Sequence, residues 1–340
     1  MTSTSLQSDV EEALRSLPPA AKVPLLSGSG LWFTQEEPAL GLPRIAVSDG
    51  PVGVRGHSDS EADGSVNLPS ATCLAASWDR RLMARVGQVL AAEARRKNVD
   101  VVLGPTINLH RSPLAGRNFE CFSEDPLLTG ELATAYVTGI QDAGVGACPK
   151  HFVANEAESE RTSVNNLVDE RTLREVYLAP FERVVSRARP WMIMAAYNGV
   201  NGKPMTESPL TETPLKTEWG FDGVVVSDWH AVYSTVESAL SATDLAMPGP
   251  ERKWGADLLD AVEAGQIPEA VIDEKLRRLA RLGRRVETGR RGKHDGPAPA
   301  GPAPATRPWW PGKPPRQALS CWRTGATPSR CTAGALPPWP

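Results

Sequence analysis

The sequence predicts an α/β protein, specifically a TIM-like (β/α)8 barrel followed by a Pro-rich tail. Six short apolar runs each end in polar or charged residues, and segments with helical periodicity lie between them. Such alternation is typical of parallel strands joined by helices. It extends from about residue 44 to about residue 288, a length that suits one barrel better than two small domains.

The strands and helices can be placed in order along the chain. Helical spacing of apolar residues predicts one helix at 78–97, behind a cap at Ser77, and another at 169–188, behind Asp169. The polar N-terminal stretch 1–17 has the pattern of a short amphipathic helix. The predicted strands are RIAVSDG (44–50), VDVVLGPTIN (99–108), GVGACPKHF (144–152), PWMIMAAYN (190–198), GVVVSDWHA (223–231) and TDLAMPG (243–249).

A doubly wound sheet is the alternative arrangement of the same elements. It would normally carry a glycine-rich phosphate turn after its first strand. Neither GxGxxG nor GxxxxGK[ST] occurs in the sequence. The barrel is therefore the preferred prediction.

Composition narrows the class of protein. The chain has 340 residues, is 41% hydrophobic and carries a formal net charge of −3, so no strong attraction to nucleic acid or to an anionic membrane is expected. No apolar stretch approaches the ~20 residues that span a bilayer. The N-terminus lacks the basic and apolar regions of a signal peptide, and we expect a cytoplasmic location.

The cysteines and histidines show no metal-binding pattern. The five cysteines include no CxxC pair, and the five histidines show no HxH or HExxH spacing, so neither a disulfide framework nor a metal site is indicated. We expect Cys73, Cys121 and Cys148 to be buried free thiols.

The run GVVVSDWHA is the most informative single motif. Its three valines predict a buried strand that delivers Asp228 to its end, beside Trp229. In a barrel of parallel strands the C-terminal strand ends form the catalytic face, and a carboxylate beside an aromatic ring there favours sugar chemistry. The alternative is that Asp228 caps the following helix.

Four further motifs join this one in a fixed order. SDGPVGVRG (48–56), GRNFECFSEDP (116–126), CPKHFVANEAESER (148–161) and MAAYNGVNGKP (194–204), followed by GVVVSDWHA, resemble the family-three glycoside hydrolases, most of all their β-glucosidase branch. The resemblance runs from about Leu25 to about Leu282. It implies a barrel domain, retaining hydrolysis of terminal, non-reducing β-linked sugars, a small-molecule β-glycoside as the partner, and no cofactor.

The resemblance also assigns roles by position. Asp228 matches the family's catalytic nucleophile, which attacks the anomeric carbon to give a glycosyl-enzyme. Trp229 would pack against the sugar or the leaving group, and Tyr197 would lie near the nucleophile and the ring oxygen. The residues expected to hold the sugar hydroxyls are Asp49, Arg117, Lys150 and His151.

Each of these residues also has a simpler interpretation. Asp49 lies in SDGP, a common turn sequence, and Arg117 could pair with Glu120 or Glu124 on a surface loop. Lys150 could be a Schiff-base lysine of an aldolase-like barrel.

The remaining motif residues are equally open. His151 and Tyr197 could fill a barrel rim, and Trp229 could be core packing. Glu120, Glu124 and Glu156 are expected to form salt bridges or order loops.

Retaining hydrolysis also needs an acid/base carboxyl group. In two-domain relatives this group is a glutamate of a sandwich domain downstream of the barrel, and we expect that domain to be lost here. Single-domain relatives use a His-Asp pair after their KH motif, but the loop FVANEAESERTSVNN contains no histidine. Activity is therefore expected to be impaired.

The sequence divides into a barrel domain at 1–290 and a tail at 291–340. From Lys293 onward Val, Ile, Phe, Tyr and Met are absent and Pro, Gly, Ala and Arg are abundant. This composition predicts disorder. It also suggests that a frame change in the coding sequence produced the tail. Three functions stay open: a β-glycosidase barrel, a non-catalytic sugar-binding remnant, and a Schiff-base enzyme using Lys150. Sugar specificity and oligomeric state are not predicted.

Overall fold

A computed structural model describes residues 3–58 and 63–292. The predicted α/β class is confirmed. The α-helices of the described residues are α1 Ser3–Ser16, α2 Pro19–Lys22, α3 Ala71–Ala75, α4 Arg80–Arg96, α5 Pro126–Asp142, α6 Glu170–Thr172, α7 Ala179–Ala188, α8 Val236–Leu240, α9 Ala256–Glu263 and α10 Glu269–Arg291. The β-strands are β1 Val47–Asp49, β2 Val101–Leu103, β3 Gly146–Ala147, β4 Asn165–Asn166, β5 Met192–Ala195, β6 Gly199–Val200, β7 Lys203–Pro204 and β8 Val224–Ser227.

The central strands are parallel, as the alternation of strands and helices predicts. β1, β2 and β3 form one parallel sheet, in which Val47 pairs with Val101 and Val101 pairs with Gly146. β5 and β8 form a second parallel pair, with Met192 opposite Val224. β4, β6 and β7 form a small separate sheet. Five of the six predicted strands therefore contain an observed strand.

A continuous eight-stranded barrel is not formed by the described residues. The ladder is interrupted between the two parallel sheets, where only isolated bridges join the chain. The sixth predicted strand, 243–249, makes single parallel bridges from Leu245 to Val226 and from Ala246 to Ser27. At Gly28 and Phe33 the pairing turns antiparallel. Because these segments make only single bridges, some of them antiparallel, no continuous parallel ladder runs through this part of the structure.

The long helices lie where helical periodicity predicts them, with one change at a cap. Asp169, at the start of the second predicted helix, caps α6 by accepting from the Thr172 amide at 3.0 Å. The predicted cap at Ser77 is wrong, because the Asp79 carboxylate accepts from the amides of the first turn of α4. The N-terminal helix predicted from the pattern of 1–17 is present as α1. α6 is followed by a π-helical turn, Leu173–Leu178, that leads into α7.

The core has two apolar parts, one on each side of the parallel sheets. One part contains α4, α5 and α7, and the other contains α1, α10 and the opposite faces of the strands. The β8 valines divide between them, since Val225 faces the first part while Val224 and Val226 face the second. β8 is therefore buried on both faces, as its continuous apolar sequence predicts.

The cysteine prediction is correct for two of three thiols. Cys121 and Cys148 are free and buried, whereas Cys73 is free and exposed, because it lies on the outer face of the short helix α3. No helix in the described residues is long and apolar enough to cross a membrane. The predicted tail at 291–340 lies, from residue 293 onward, outside the described residues.

Candidate active site

The C-terminal ends of four parallel segments converge on one site. Asp49 is the last residue of β1, and Asp228 directly follows β8. Lys150 pairs with Thr106 in an isolated parallel bridge beyond β2 and β3. Tyr197 follows β5 by two residues. Carboxyl ends of parallel strands meet at one edge of the structure, which explains why residues so distant in sequence approach each other.

Asp228 is the buried carboxylate at the centre of this edge. It is 8% exposed. Its backbone N–H donates to the Ala195 carbonyl at 3.0 Å, and its Oδ1 accepts from the Trp229 N–H at 2.7 Å. Oδ2 is buried and, within the described part of the chain, accepts no hydrogen bond. The helix-cap interpretation is wrong, because the next helix, α8, begins only at Val236.

Two opposing effects set the proton affinity of Asp228. Burial raises the pKa of this carboxyl group, because a desolvated carboxylate loses hydration. Lys150, the Trp229 N–H and Arg117 act in the opposite direction and stabilise the charge. The Tyr197 hydroxyl is near enough to act in the same direction, although it does not meet the geometry of a hydrogen bond to Oδ2. The net result is a pKa above the usual aspartate value, so the group is a stronger base than an exposed aspartate.

Asp49 and Lys150 form an ion pair at the side of the site. Lys150 Nζ lies 2.8 Å from Asp49 Oδ1. The lysine side chain is 4% exposed and the aspartate side chain 46%, so the pair presents its carboxylate outward. The turn interpretation of Asp49 misses this contact, although the Asp49 carbonyl does accept from Arg55 N–H at 2.9 Å within the following loop.

Arg117 is fixed by carboxylates on two sides. Its guanidinium donates to Glu120 through Nη2 at 2.8 Å and through Nε at 3.2 Å, and its Nη1 lies 3.6 Å from Glu158 Oε1. Glu158 in turn holds Arg161 at 2.8 Å. The expected pairing with Glu120 is therefore present, but the pair lies in the site and not on an outer loop.

His151 connects Arg117 to Asp228. Its Nε2 lies 3.1 Å from Arg117 Nη1 and 3.5 Å from Asp228 Oδ2. Its Nδ1 lies 3.1 Å from Asn108 Oδ1. Burial, followed by the charges of Arg117 and Lys150, lowers the pKa of His151 well below 6.5. The imidazole is therefore neutral at physiological pH.

Two aromatic residues border the carboxylate. The Arg161 guanidinium lies 4.8 Å from the centre of the Tyr197 ring, and burial together with the Asp228 charge raises the pKa of Tyr197. Trp229 packs on Trp32 at 5.3 Å between ring centres and donates from Nε1 to the Leu31 carbonyl at 3.0 Å. Trp229 is thus held in a fixed orientation at the site.

All seven residues singled out in the sequence lie at this edge, and further residues join them. Sequence reasoning missed Asn108, Glu158, Arg161 and Trp32. Glu158 and Arg161 lie in the same motif as Lys150, so their motif position was the available signal. Asn108 ends a predicted strand, and Asp49 and Asp228 likewise lie at the ends of the observed strands β1 and β8, but an amide carries no charge that would mark it in the sequence.

Chemically, the arrangement combines one buried carboxylate with cations and hydrogen-bond donors around it. A carboxylate oxygen without a donor can attack an electrophilic carbon or accept a proton. The surrounding charged groups can hold several hydroxyls through charge-assisted hydrogen bonds. Such a set fits a polyhydroxylated ligand.

Comparison with known proteins gives a consistent result. Residues 32–282 match the model of the glycosyl hydrolase family 3 N-terminal domain. The chain is 46% identical over 280 residues to a β-glucosidase of Rhizobium radiobacter, covering 82% of this chain and 34% of that protein. It is 43% identical to the thermostable β-glucosidase B of Acetivibrio thermocellus, covering 81% of this chain and 37% of that protein.

Solved structures agree. The structure of β-glucosidase 3B from Thermotoga neapolitana in complex with α-D-glucose is similar at a TM-score of 0.78 and 38% identity, with 83% of this chain and 43% of that chain covered. The β-glucosidase of Kluyveromyces marxianus in complex with glucose is similar at a TM-score of 0.79 and 39% identity, with 82% and 34% covered. The chain spans about a third of the length of the curated relatives it matches.

Proposed function

The chain belongs to glycosyl hydrolase family 3, and from this premise we propose that it hydrolyses terminal, non-reducing β-D-glucosyl or related β-glycosyl residues. The reaction is a retaining double displacement with Asp228 as the nucleophile. The observation that carries the proposal is Asp228 itself, a buried carboxylate at a strand end with an oxygen that accepts no hydrogen bond in the described residues.

In the first step Asp228 Oδ2 attacks the anomeric carbon and the glycosidic oxygen leaves. Positive charge develops on the sugar in the oxocarbenium-like transition state, and the anionic carboxylate stabilises it. In the second step water attacks the same carbon, the bond from that carbon to Asp228 Oδ2 breaks, and the proton that the water loses passes to solvent. The donors around Asp228 oppose the effect of burial and favour the ionised form, which a nucleophile requires.

The neighbouring charged residues would hold the sugar. Asp49 offers a partly exposed carboxylate as an acceptor, while Lys150 and Arg117 offer donors from rigid ion pairs. Because each is already held by a partner, little side-chain entropy is lost on binding. Tyr197 borders the nucleophile, and Trp229 offers an apolar face to the sugar or leaving group.

We further infer that the parallel strands belong to a barrel-type arrangement. The isolated bridges from Phe152 to Ala195, from Val226 to Leu245 and from Ala246 to Ser27 join successive segments in the parallel sense. Placement of the site at the carboxyl ends of these strands supports the same inference.

The group that would transfer a proton to the leaving oxygen is the component of the site that is hardest to assign. An acid/base carboxyl group is expected ~5–5.5 Å from the nucleophile, but Glu120 and Glu158, which lie nearby, are both engaged by arginines. We assign no acid/base among the described residues. Aryl glycosides with good leaving groups should therefore react before alkyl glucosides or cellobiose, since positioned proton transfer typically contributes ~10²–10⁴-fold. Azide should speed the second step, because it needs no deprotonation.

Covalent labelling tests the nucleophile directly. An activated 2-deoxy-2-fluoro-glycoside should add one glycosyl unit to the chain, and peptide mapping should place it on Asp228. Asp228→Asn should abolish the adduct while the fold persists. Asp222→Asn is the matched control, because Asp222 precedes the same strand at its opposite end, where it pairs with Arg285 at 2.7 Å. An adduct on another carboxylate, or one retained in Asp228→Asn, would refute the assignment.

The two alternative functions predict other results. A sugar-binding remnant would bind an iminosugar but form no adduct with any activated glycoside. A Schiff-base enzyme would be trapped by borohydride at Lys150, yet this lysine is paired with Asp49 at 2.8 Å, unlike the unpaired, desolvated amine that such chemistry uses. No specific observation favours either alternative.

A further inference from the structure

Asn108 holds the backbone of His151 in a two-point contact. The His151 N–H donates to Asn108 Oδ1 at 2.9 Å, and Asn108 Nδ2 donates to the His151 carbonyl at 3.0 Å. A backbone N–H can only donate and a carbonyl can only accept. The orientation of the amide is therefore fixed, with Oδ1 on the side of the His151 N–H.

The same amide oxygen faces the His151 ring. Oδ1 lies 3.1 Å from Nδ1, and since this oxygen can only accept, Nδ1 must carry a proton. On the other side of the ring, Nε2 lies 3.1 Å from Arg117 Nη1. A guanidinium can only donate, so Nε2 must be the unprotonated nitrogen. Two contacts on opposite sides of the ring thus require the same tautomer.

The choice of tautomer matters because the ring holds a single proton. His151 is 1% exposed, and burial together with the charges of Arg117 and Lys150 lowers its pKa well below 6.5. A neutral imidazole with its proton on Nε2 would point that proton toward Asp228 Oδ2, 3.5 Å away. A hydrogen bond there would stabilise the carboxylate and make it a weaker nucleophile.

We propose that Asn108 is a positioning residue that holds neutral His151 as the Nδ1–H tautomer, so that Nε2 accepts from Arg117 or from a sugar hydroxyl and donates nothing to Asp228. The proposal deepens the proposed function and, in its kinetic consequence, rests on it. It explains why His151, whose Nε2 lies 3.5 Å from Asp228 Oδ2, donates no hydrogen bond to that oxygen within the described residues.

Asn108 is itself firmly held, as a positioning residue should be. It is 2% exposed, and the next residue, Leu109, donates its N–H to Glu156 Oε1 at 3.1 Å. Glu156, which is half-buried, also forms a side-chain hydrogen bond with Asn108. The segment is therefore held by two partners, His151 and Glu156.

Nuclear magnetic resonance of the protein labelled with ¹⁵N-histidine tests the tautomer without any substrate. The five histidines are distinguished by the loss of one set of signals in His151→Gln. Long-range ¹H–¹⁵N correlations in the unaltered chain at pH 6–8 should place the His151 proton on Nδ1. A proton on Nε2, or a doubly protonated ring, would overturn the proposal.

The variant Asn108→Leu keeps the branched shape and removes the acceptor. In this variant Nδ1–H has no acceptor, whereas Arg117 Nη1 keeps Glu158 Oε1, 3.6 Å away, as its other partner. The proton should therefore move to Nε2, where Asp228 Oδ2 is the available acceptor. Asn198→Leu is the matched control, because Asn198 is fully buried near a neighbouring strand end and donates to the Val153 carbonyl at 3.0 Å. Among the described residues it makes no hydrogen bond to His151. The control should leave the His151 signals unchanged. A proton that stays on Nδ1 in Asn108→Leu would contradict the role of Asn108.

The kinetic consequence is measured by labelling with the activated fluoro-glycoside. A new hydrogen bond to the charged attacking oxygen should slow labelling of Asp228 by about 10–100-fold in Asn108→Leu, with a much smaller change in iminosugar affinity. An unchanged labelling rate beside a moved proton would contradict the proposed link to Asp228. If the unaltered chain forms no adduct, the proposed function fails, while the resonance measurement still decides the tautomer. If Asn108→Leu does not fold, the measurement on the unaltered chain decides the proposal.

Discussion

Asp244 and Lys216 form a buried ion pair next to β8, and the effect of breaking this pair on the unfolding free energy can be predicted quantitatively. Asp244 is 1% exposed, its Oδ1 accepts from Lys216 Nζ at 2.7 Å, and its Oδ2 accepts from the Val225 N–H at 2.8 Å. It therefore links a buried ammonium to β8, the strand that ends at Asp228. Asp244→Asn keeps the shape and the acceptor for Val225 but removes the negative charge beside Lys216.

Two limits bound the cost of this substitution. If Lys216, whose side chain is 6% exposed, stays charged and unpaired, breaking the buried pair should cost about 3–5 kcal/mol of unfolding free energy. If Lys216 instead loses its proton at pH 7, neutralising an ordinary lysine costs at most about 4.6 kcal/mol. The actual cost by this route is smaller, because burial already lowers the pKa of Lys216. The limits overlap, and we expect a loss of about 3–4 kcal/mol.

Urea unfolding followed by circular dichroism measures the loss, and thermal unfolding should show a fall in Tm on the order of 10 °C. Adding Lys216→Met to Asp244→Asn removes the unpaired ammonium charge. It should restore most of the stability, because replacing both members of a buried ion pair is often neutral. A loss below about 1 kcal/mol in the single variant, or no recovery in the double variant, would refute the reasoning.

Other predictions concern pH, packing and binding. Burial lowers the pKa of Lys275 to about 7, against about 10.4 in the unfolded chain. Between these pH values the unfolded state binds more protons than the folded state, so the unfolding free energy should rise from pH 7 to pH 10. Lys275→Met should remove most of this rise when unfolding by urea is measured across that pH range. Gly139→Ala should lower the unfolding free energy measured in urea by about 1–3 kcal/mol, because the added Cβ would lie 2.1 Å from the Ala84 carbonyl oxygen. The control Gly64→Ala adds its Cβ in open space and should cost much less. Because burial raises the pKa of Asp228, fluoro-glycoside labelling should be lost, as pH falls, at a higher pH than for an exposed aspartate; loss only at the ordinary aspartate value would contradict this. Calorimetry should show iminosugar binding weakened by about 1.5–3 kcal/mol in each of three alanine variants, at Asp49, Arg117 and Lys150, and unchanged affinity in all three would contradict their binding roles.

The sequence predicts those features that depend on local chemistry. The three valines before Asp228 are continuous because β8 is buried on both faces, and that pattern alone locates the strand and its end. The helix predicted from residue 169 begins there, and Asp169 is its cap. Near α4 two residues could cap, Ser77 and Asp79, and the sequence does not say which of them the chain geometry places beside the free amides. Free cysteines are usually buried, which is why the sequence predicts a buried Cys73. Its exposure is decided by which face of α3 meets the core, and the sequence does not show this.

What sequence reasoning misses are contacts whose meaning depends on a partner brought from elsewhere in the chain. Arg117 and Glu120 are three residues apart, and that spacing predicts their ion pair whether it lies on a surface loop or inside a site. Only the approach of His151 decides between the two, because its Nε2 needs a donor and Arg117 supplies one at 3.1 Å. Asn108 is a still clearer example, since an uncharged amide at a strand end has no distinctive sequence signal. Its role follows from one fact of geometry: its single oxygen meets both the backbone and the ring of His151, and so determines which ring nitrogen faces Asp228.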